Sequence, residues 1–420
     1  MESSAFRRLQ TIAHHVLLLV PETSTNILNP NHSSSVELEC VDSSSYPVII
    51  GGMVLDVNGR PFTDTLPGTT TPGKIQHVSG GVARNVAECM SKLGSKPFII
   101  SVVGLDIAGD VLLKYWESSG LPTSGILKLQ GVTTPIVSNI FDSRGELAAA
   151  VASVEAVEEF LTPDWIWQLR DTISSAPLLM VDANLNPKSL EAACKVATES
   201  GIPVWFEPVS VTKSVRIASI ANYITCTSPN EDELLAMAHA LSSGEEFCVD
   251  KKESAKRKRQ SIESFFSLLK PAICVLLEKG IKLLVVTLGS DGVFICSREI
   301  PSFMKDSLKN TRTSFYEKQL YELVNESCPP KQYANSPCAL HFPALPSSVV
   351  SLTGAGDCLV GGILSSLSTG LDMMQSVAMG VAVAKAAVEC ETNIPAEFSL
   401  TKLAAEARQI LLSAKQLVLD

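Results

Sequence analysis

The chain has 420 residues, of which 45% are apolar, and a formal charge of −10; this length suits one large α/β domain or two to three smaller ones with a sizeable core. The acidic balance argues against a general nucleic-acid or membrane surface, and no apolar run approaches the length of a bilayer span. Eleven cysteines without a Cys-x-x-Cys pair or a Cys/His cluster read as reduced, buried thiols with no zinc site.

Residues 1–46 read as an extension separate from a domain at 47–420. The extension is Ser/Thr/Asn-rich and poorly suited to packing. Within it, Arg8-Leu9, five residues and then His15-Val16 resemble an N-terminal peroxisomal signal, with Val16 where Leu or Ala is usual. A mitochondrial presequence is the rival reading, because the segment is basic and Ser-rich, and a plain tail of a cytosolic protein is the third.

From Pro47 the apolar pattern changes. Strands are expected at 47–50, 97–103, 177–182, 203–206, 222–226 and 283–288. Helices are expected between them at about 82–93, 107–119, 163–175, 187–200 and 230–241. This alternation predicts a doubly wound α/β fold, a mostly parallel sheet with helices on both faces. Short alternating runs at about 53–62, 74–79 and 126–151 break the rhythm and read as strands outside the main sheet. Residues 244–262 hold the basic run 251–259, which suits a solvated loop or a nuclear signal. Residues 298–345 form a polar excursion with no readable function, and internal repeats are absent.

Two glycine motifs carry the chemistry. In Leu352-Thr353-Gly354-Ala355-Gly356-Asp357, small residues turn the backbone just before an apolar run that reads as a helix. The N–H groups of Gly354, Ala355 and Gly356 then form an anion hole at a positive dipole end. Asp357 at its lip can take a proton from a hydroxyl attacking a phosphorus held there; a helix-capping Asp after a glycine turn is the bland alternative. The second motif, Ser79-Gly80-Gly81-Val82-Ala83-Arg84-Asn85, also leads into a helix. Its paired glycines permit close approach to the backbone, and Asn85 offers a donor and an acceptor to a polyol.

Taken together these motifs resemble the two signatures of the ribokinase/PfkB kinases. Between them, Pro229-Asn230-Glu231-Asp232-Glu233 is similar to that family's Asn-x-x-Glu motif, and Thr287-Leu288-Gly289-Ser290-Asp291-Gly292 to its nucleotide-binding turn. The resemblance covers about residues 47–415. It implies a ribokinase-like fold with a small β lid over a sugar site, ATP as co-substrate, and Asp357 as base. Thr287, Gly289, Gly292 and Asn230 would then contact the nucleotide. Mg²⁺ would bridge its phosphates, held directly or through water by Asn230 and Glu233 one helical turn apart, with Glu207 in the same acidic neighbourhood. Asn230 and Glu233 also suit a capping box, and both roles can coexist. Asp56 matches the family's sugar-binding aspartate, suited to two neighbouring hydroxyls.

One departure concerns potassium. The family often reads Asp-Thr-Thr before Gly-Ala-Gly-Asp, where this chain has Ser351-Leu352-Thr353, a poor set for K⁺. For the substrate, the stretches Val103–Asp110, Val181–Pro187 with Asn184, and Phe206–Ser210 with Lys213 look most like the pseudouridine kinases of that family. The implied partners are a small-molecule nucleoside and ATP, with a homodimer through the lid as a further implication. By position on the lid, Thr134, Ser138 and Asn139 are candidates to meet the base. Another sugar or nucleoside kinase of the same fold, such as a ribokinase or an adenosine or inosine kinase, is the alternative, and a non-catalytic homologue the third reading.

Overall fold

Alternate side chains of the central strands belong to opposite cores. In the strand Val48–Ile50 (β1), Ile49 packs into one apolar cluster while Val48 and Ile50 pack into the other. In Phe98–Gly104 (β4), Ile99 and Val103 part from Ile100 and Val102 in the same way. A period of two with both faces apolar is what a sheet covered on both sides requires. These relations come from a computed structural model that describes residues 46–66, 68–144, 147–242, 261–298, 314–328 and 338–419. The Arg8–Val16 segment, the basic run 251–259, and residues 299–313 and 329–337 of the polar excursion lie outside the described residues.

Among the described residues the main sheet has ten strands. Its parallel part runs Ile126–Leu129 (β5), β4, β1, Leu179–Asp182 (β8), Val204–Glu207 (β9), Cys226–Thr227 (β10) and Leu283–Thr287 (β11). Three antiparallel strands extend it beyond β11: Val293–Ser297 (β12), Cys338–Phe342 (β13) and Lys415–Leu417 (β14). One core lies under the helices Val82–Lys92, Ile107–Ser118, Ala355–Ser368, Met373–Val388 and Leu400–Leu412. The other lies under Pro187–Glu199, Glu231–Leu241 and Ile262–Glu278.

A separate four-stranded sheet has the order β3-β2-β6-β7, formed by Val54–Pro61 (β2), Gly73–Gly80 (β3), Ile136–Phe141 (β6) and Leu147–Ser153 (β7). The strands expected at about 53–62 and 74–79 are β2 and β3. The stretch 126–151 is divided, however. Its first strand, β5, joins the main sheet beside β4, where Ile126 enters the core; only β6 and β7 belong to the lid. Four residues are too few to show by periodicity which sheet they join.

Three further expectations need correction. The strand expected at 222–226 shrinks to β10, because Ala221–Tyr223 forms a 3₁₀ turn. The helix expected at 163–175 is two short helices, Pro163–Gln168 and Arg170–Ser174, broken at Leu169. The polar excursion is partly structured: Ser314 and Glu317 close a capping box on the helix Phe315–Ser327, and β13 follows. Among the described residues no helix is long and apolar enough to cross a membrane, and nine cysteines are free thiols.

Candidate active site

The parallel strands point their carboxyl ends at one edge, where open α/β sheets bind ligands. Gly51 follows β1 there, Asp182 ends β8, Glu207 ends β9 and Thr287 ends β11. The helix Ala355–Ser368 brings its N-terminus to the same place. Its cap, Gly354, has φ +82°, and a Cβ on it would lie 2.1 Å from the carbonyl oxygen of Asn393. Only glycine makes this turn at this spacing. A Cβ on Gly356, by contrast, would meet nothing within 4 Å, so the backbone of the turn is open to an incoming group.

Asp357 lies in the first turn of that helix. Asn85 Nδ2 donates to its Oδ2 at 2.6 Å. Burial pushes the Asp357 carboxyl up to about 7; Asn85 and Arg84 oppose the shift, while Asp182 and Asp56 reinforce it. A cavity of about 190 Å³ opens beside Asp357 and Gly356 and is lined by Glu207, Asn230, Glu233 and Thr287. The residues expected to serve the phosphates and their ion are therefore gathered around one space.

Glu207 accepts a hydrogen bond from Ser228, whose hydroxyl in turn accepts from Trp205 Nε1 at 2.9 Å. Burial raises the Glu207 carboxyl well above the usual range, and nearby Asp357, Glu233 and Asp182 add to the shift. Glu233 closes the capping box: its N–H donates to Asn230 Oδ1 and its Oε2 accepts from Asn230 N–H, both at 2.9 Å. Burial raises Glu233 also. The cavity-lining Val209 is the sole non-glycine residue with positive φ (+67°) among the described residues. Strain of that kind costs about 1–3 kcal/mol and clusters at functional sites. Beyond Thr287, the turn through Gly289 and Gly292 leads into β12; a Cβ on Gly289 would meet nothing within 4 Å, whereas one on Gly292 would strike the Phe342 carbonyl.

On the lid side, Asp56 of β2 accepts from Asn393 Nδ2 at 3.3 Å, and burial raises its carboxyl. A Cβ on Gly80 would lie 2.3 Å from Asp56 Oδ2. The close approach expected at Gly80 and Gly81 is thus made by the protein itself, by Asp56 and by the Gly52 carbonyl. Asp182 is fully buried and accepts from the N–H groups of Gly52 (2.9 Å), Ala83 (3.3 Å) and Asn184 (2.9 Å). It locks the loop after β1 to the start of the Val82–Lys92 helix. Lys213 Nζ donates to Asn184 Oδ1 at 2.7 Å, fixing which end of that amide is spoken for.

Three expectations change. Asn85 is buried, and both ends of its amide are engaged, by Arg84 and by Asp357, rather than offered to a polyol. Thr134 is fully buried and spent on structure: its hydroxyl accepts from Gly104 N–H at 2.8 Å and donates to Asp106 at 2.6 Å. Ser138 pairs in register with Val57, so it faces away from Asp56. Asn139 pairs with Asn58 on the Asp56 face and donates to Asn58 Oδ1 at 2.9 Å. In the Ser351-Leu352-Thr353 stretch, Leu352 is 73% exposed and Ser351 Oγ accepts from Thr353 N–H. The residues missed were Asn393, Asp182 and Arg84. The last two sat inside quoted motifs, but nothing in local spacing pointed to Asn393.

Matches to known proteins follow this geometry. The model of the pfkB family carbohydrate kinases matches residues 45–311 and 333–397. The chain belongs to that family. It is 50% identical over 379 residues to a pseudouridine kinase of Arabidopsis thaliana, covering 89% of this chain and 98% of the relative. A pseudouridine kinase of Escherichia coli is 26% identical over 351 residues, covering 83% and 93%. Among solved structures, an Arabidopsis ribokinase complexed with ribose and ATP superposes with a TM-score of 0.62 at 16% identity, covering 87% of this chain and 99% of that one. A Thermotoga maritima ribokinase superposes with a TM-score of 0.61 at 20% identity, covering 88% and 99%. These two establish the ribokinase-like fold.

A base must be ionised to act, and Asp357 is held near 7. The acid limb of kcat/KM is therefore expected near pH 7, with activity lost below it. Asp357→Asn is expected to keep the fold and lose turnover by about 10²–10⁴-fold. A limb near pH 4, or near-wild-type turnover in the variant, would remove Asp357 from this role.

Proposed function

We propose that this chain transfers the γ-phosphoryl group of ATP to the 5′-hydroxyl of pseudouridine. The observation that carries the reading is the 50% identity, across 98% of its length, to a pseudouridine kinase, joined to the Asp357 anion-hole geometry. Phosphoryl transfer asks a protein for alignment and charge stabilisation more than for covalent chemistry. Asp56 grips the ribose diol beneath the lid and directs the 5′-hydroxyl at Asp357, which takes its proton. The N–H groups at the start of the Ala355–Ser368 helix face the transferred phosphoryl oxygens.

Magnesium belongs to this proposal. Glu207 and Glu233 are crowded, desolvated carboxylates, and among the described residues neither is paired with a basic side chain. That donor set fits a hard cation that keeps several waters. Glu207, Glu233 and Asn230 would hold it, and it would neutralise the nucleotide phosphates. Potassium activation is not part of the reading, given Ser351 and Leu352.

Base recognition falls to the lid. With Asn139 Nδ2 committed to Asn58, Asn139 Oδ1 is an acceptor on the face that carries Asp56. Pseudouridine carries a ring N–H where uridine has its glycosidic nitrogen, and an acceptor left unpaired costs about 1–3 kcal/mol. The lid's other face exposes Ile75, Ile140 and Val151, which we assign to a homodimer contact; sedimentation velocity reads it directly. From Arg8-Leu9 and His15-Val16 we assign the protein to the peroxisome, which a fluorescent fusion of residues 1–46 reports.

The test is a panel of pseudouridine, uridine, ribose and adenosine compared by kcat/KM. Pseudouridine is expected to exceed uridine by about 5–150-fold, the range of that unpaired-acceptor cost. Equal values for the two, or a better value for ribose or adenosine, would defeat the substrate assignment.

A further inference from the structure

Arg84 is 1% exposed, and a guanidinium taken out of water requires anionic company. It finds Glu88, whose Oε2 lies 2.5 Å from Arg84 Nη1. Glu88 is already served from two other sides, by Lys92 Nζ at 2.6 Å and by the Tyr115 hydroxyl at 2.5 Å. One carboxylate thus faces two cations, Lys92 at the protein's edge and Arg84 with its charge buried. The other arm of the guanidinium carries that charge toward the site. Arg84 Nη2 donates to Asn85 Oδ1 at 2.5 Å, and Asn85 Nδ2 donates to Asp357 Oδ2 at 2.6 Å.

The amide can sit only one way round in this chain. A guanidinium has no acceptor, so it must take Oδ1, and the N–H end is then obliged to face Asp357. Without Arg84 the amide could turn its oxygen to the protonated form of the Asp357 carboxyl, or swing away from it. We propose that Arg84 is a positioning residue for phosphoryl transfer: by fixing the Asn85 amide it pins Asp357 Oδ2 and leaves Oδ1 for the hydroxyl that is phosphorylated. The inference rests on the kinase reading of the site and adds a residue that touches neither substrate nor phosphate. It also explains why Asn85 is buried.

The competing role for Arg84 is a staple within its own helix, through the Glu88 pair. Two variants separate them. Arg84→Met removes both branches; Glu88→Gln weakens the staple and leaves the branch to Asp357. Arg84→Met is expected to lose about 10²-fold in kcat, the scale of a misplaced catalytic group, with KM for pseudouridine and ATP within about twofold of wild type. Glu88→Gln is expected to lower Tm while kcat stays within about twofold. Should Arg84→Met fold poorly because Glu88 loses its partner, the double variant Arg84→Met/Glu88→Gln removes the pair together and is expected to show the same kcat loss. Wild-type kcat in an Arg84 variant, or kcat falling in step with Tm in both single variants, would overturn the inference. A wild-type protein that phosphorylates none of the panel would contradict the kinase reading instead.

Discussion

Five carboxylates, Asp56, Asp182, Glu207, Glu233 and Asp357, are carried to one edge of the sheet and partly or wholly desolvated there. Each has its carboxyl raised, burial being the largest cause in every case. Such crowding opposes folding, because charge is taken out of water without matching counter-charge. The parallel topology gathers the strand ends, and the surroundings compensate through N–H groups on Asp182, Ser228 on Glu207, a capping box on Glu233 and the Arg84–Asn85 chain on Asp357. The residual imbalance is what makes the edge a site. The proposed cation would relieve it, and Asp357 as the proposed base would exploit it near neutral pH.

The same arithmetic separates the two sides of the site. Toward the cavity, Glu207 and Glu233 are paired with no basic side chain among the described residues, and the proposed cation would sit there. Toward the lid, Asp56 and Asp357 share the field of the buried Arg84. A sugar held by Asp56 and a phosphoryl group held at the helix N-terminus would meet at Asp357, where the two environments join. The strained Val209, beside Glu207, marks the cavity side as the place where backbone geometry is over-determined.

Much of this was legible in the sequence because the central strands are continuous apolar runs and because glycine turns have fixed chemistry. β1, β4, β8, β9 and β11 follow from such runs, and the Gly354 turn and the Asn230–Glu233 cap from local residue types. β5 and β14 were not legible, since short strands carry too little periodicity and their sheet is decided by long-range pairing. β13, buried throughout, was hidden in polar surroundings. The site residues divide likewise: Asp56, Asp357 and Glu233 sit in motifs, whereas Asn393 reaches Asp56 from 337 positions away. Thr134 and Ser138 were misread because lid position was judged without knowing which way a strand faces or where a helix needs a clamp.

The central claim is that this edge delivers a phosphoryl group to a primary hydroxyl of a nucleoside presented by Asp56. Proton-coupled ³¹P NMR of the product formed from ATP and pseudouridine addresses it most directly. A phosphomonoester signal split by two methylene protons, appearing as ADP forms, is the predicted result, because only the 5′ position carries a CH₂. A signal split by a single proton would place the phosphate on a ring hydroxyl and contradict the orientation derived from Asp56 and Asp357.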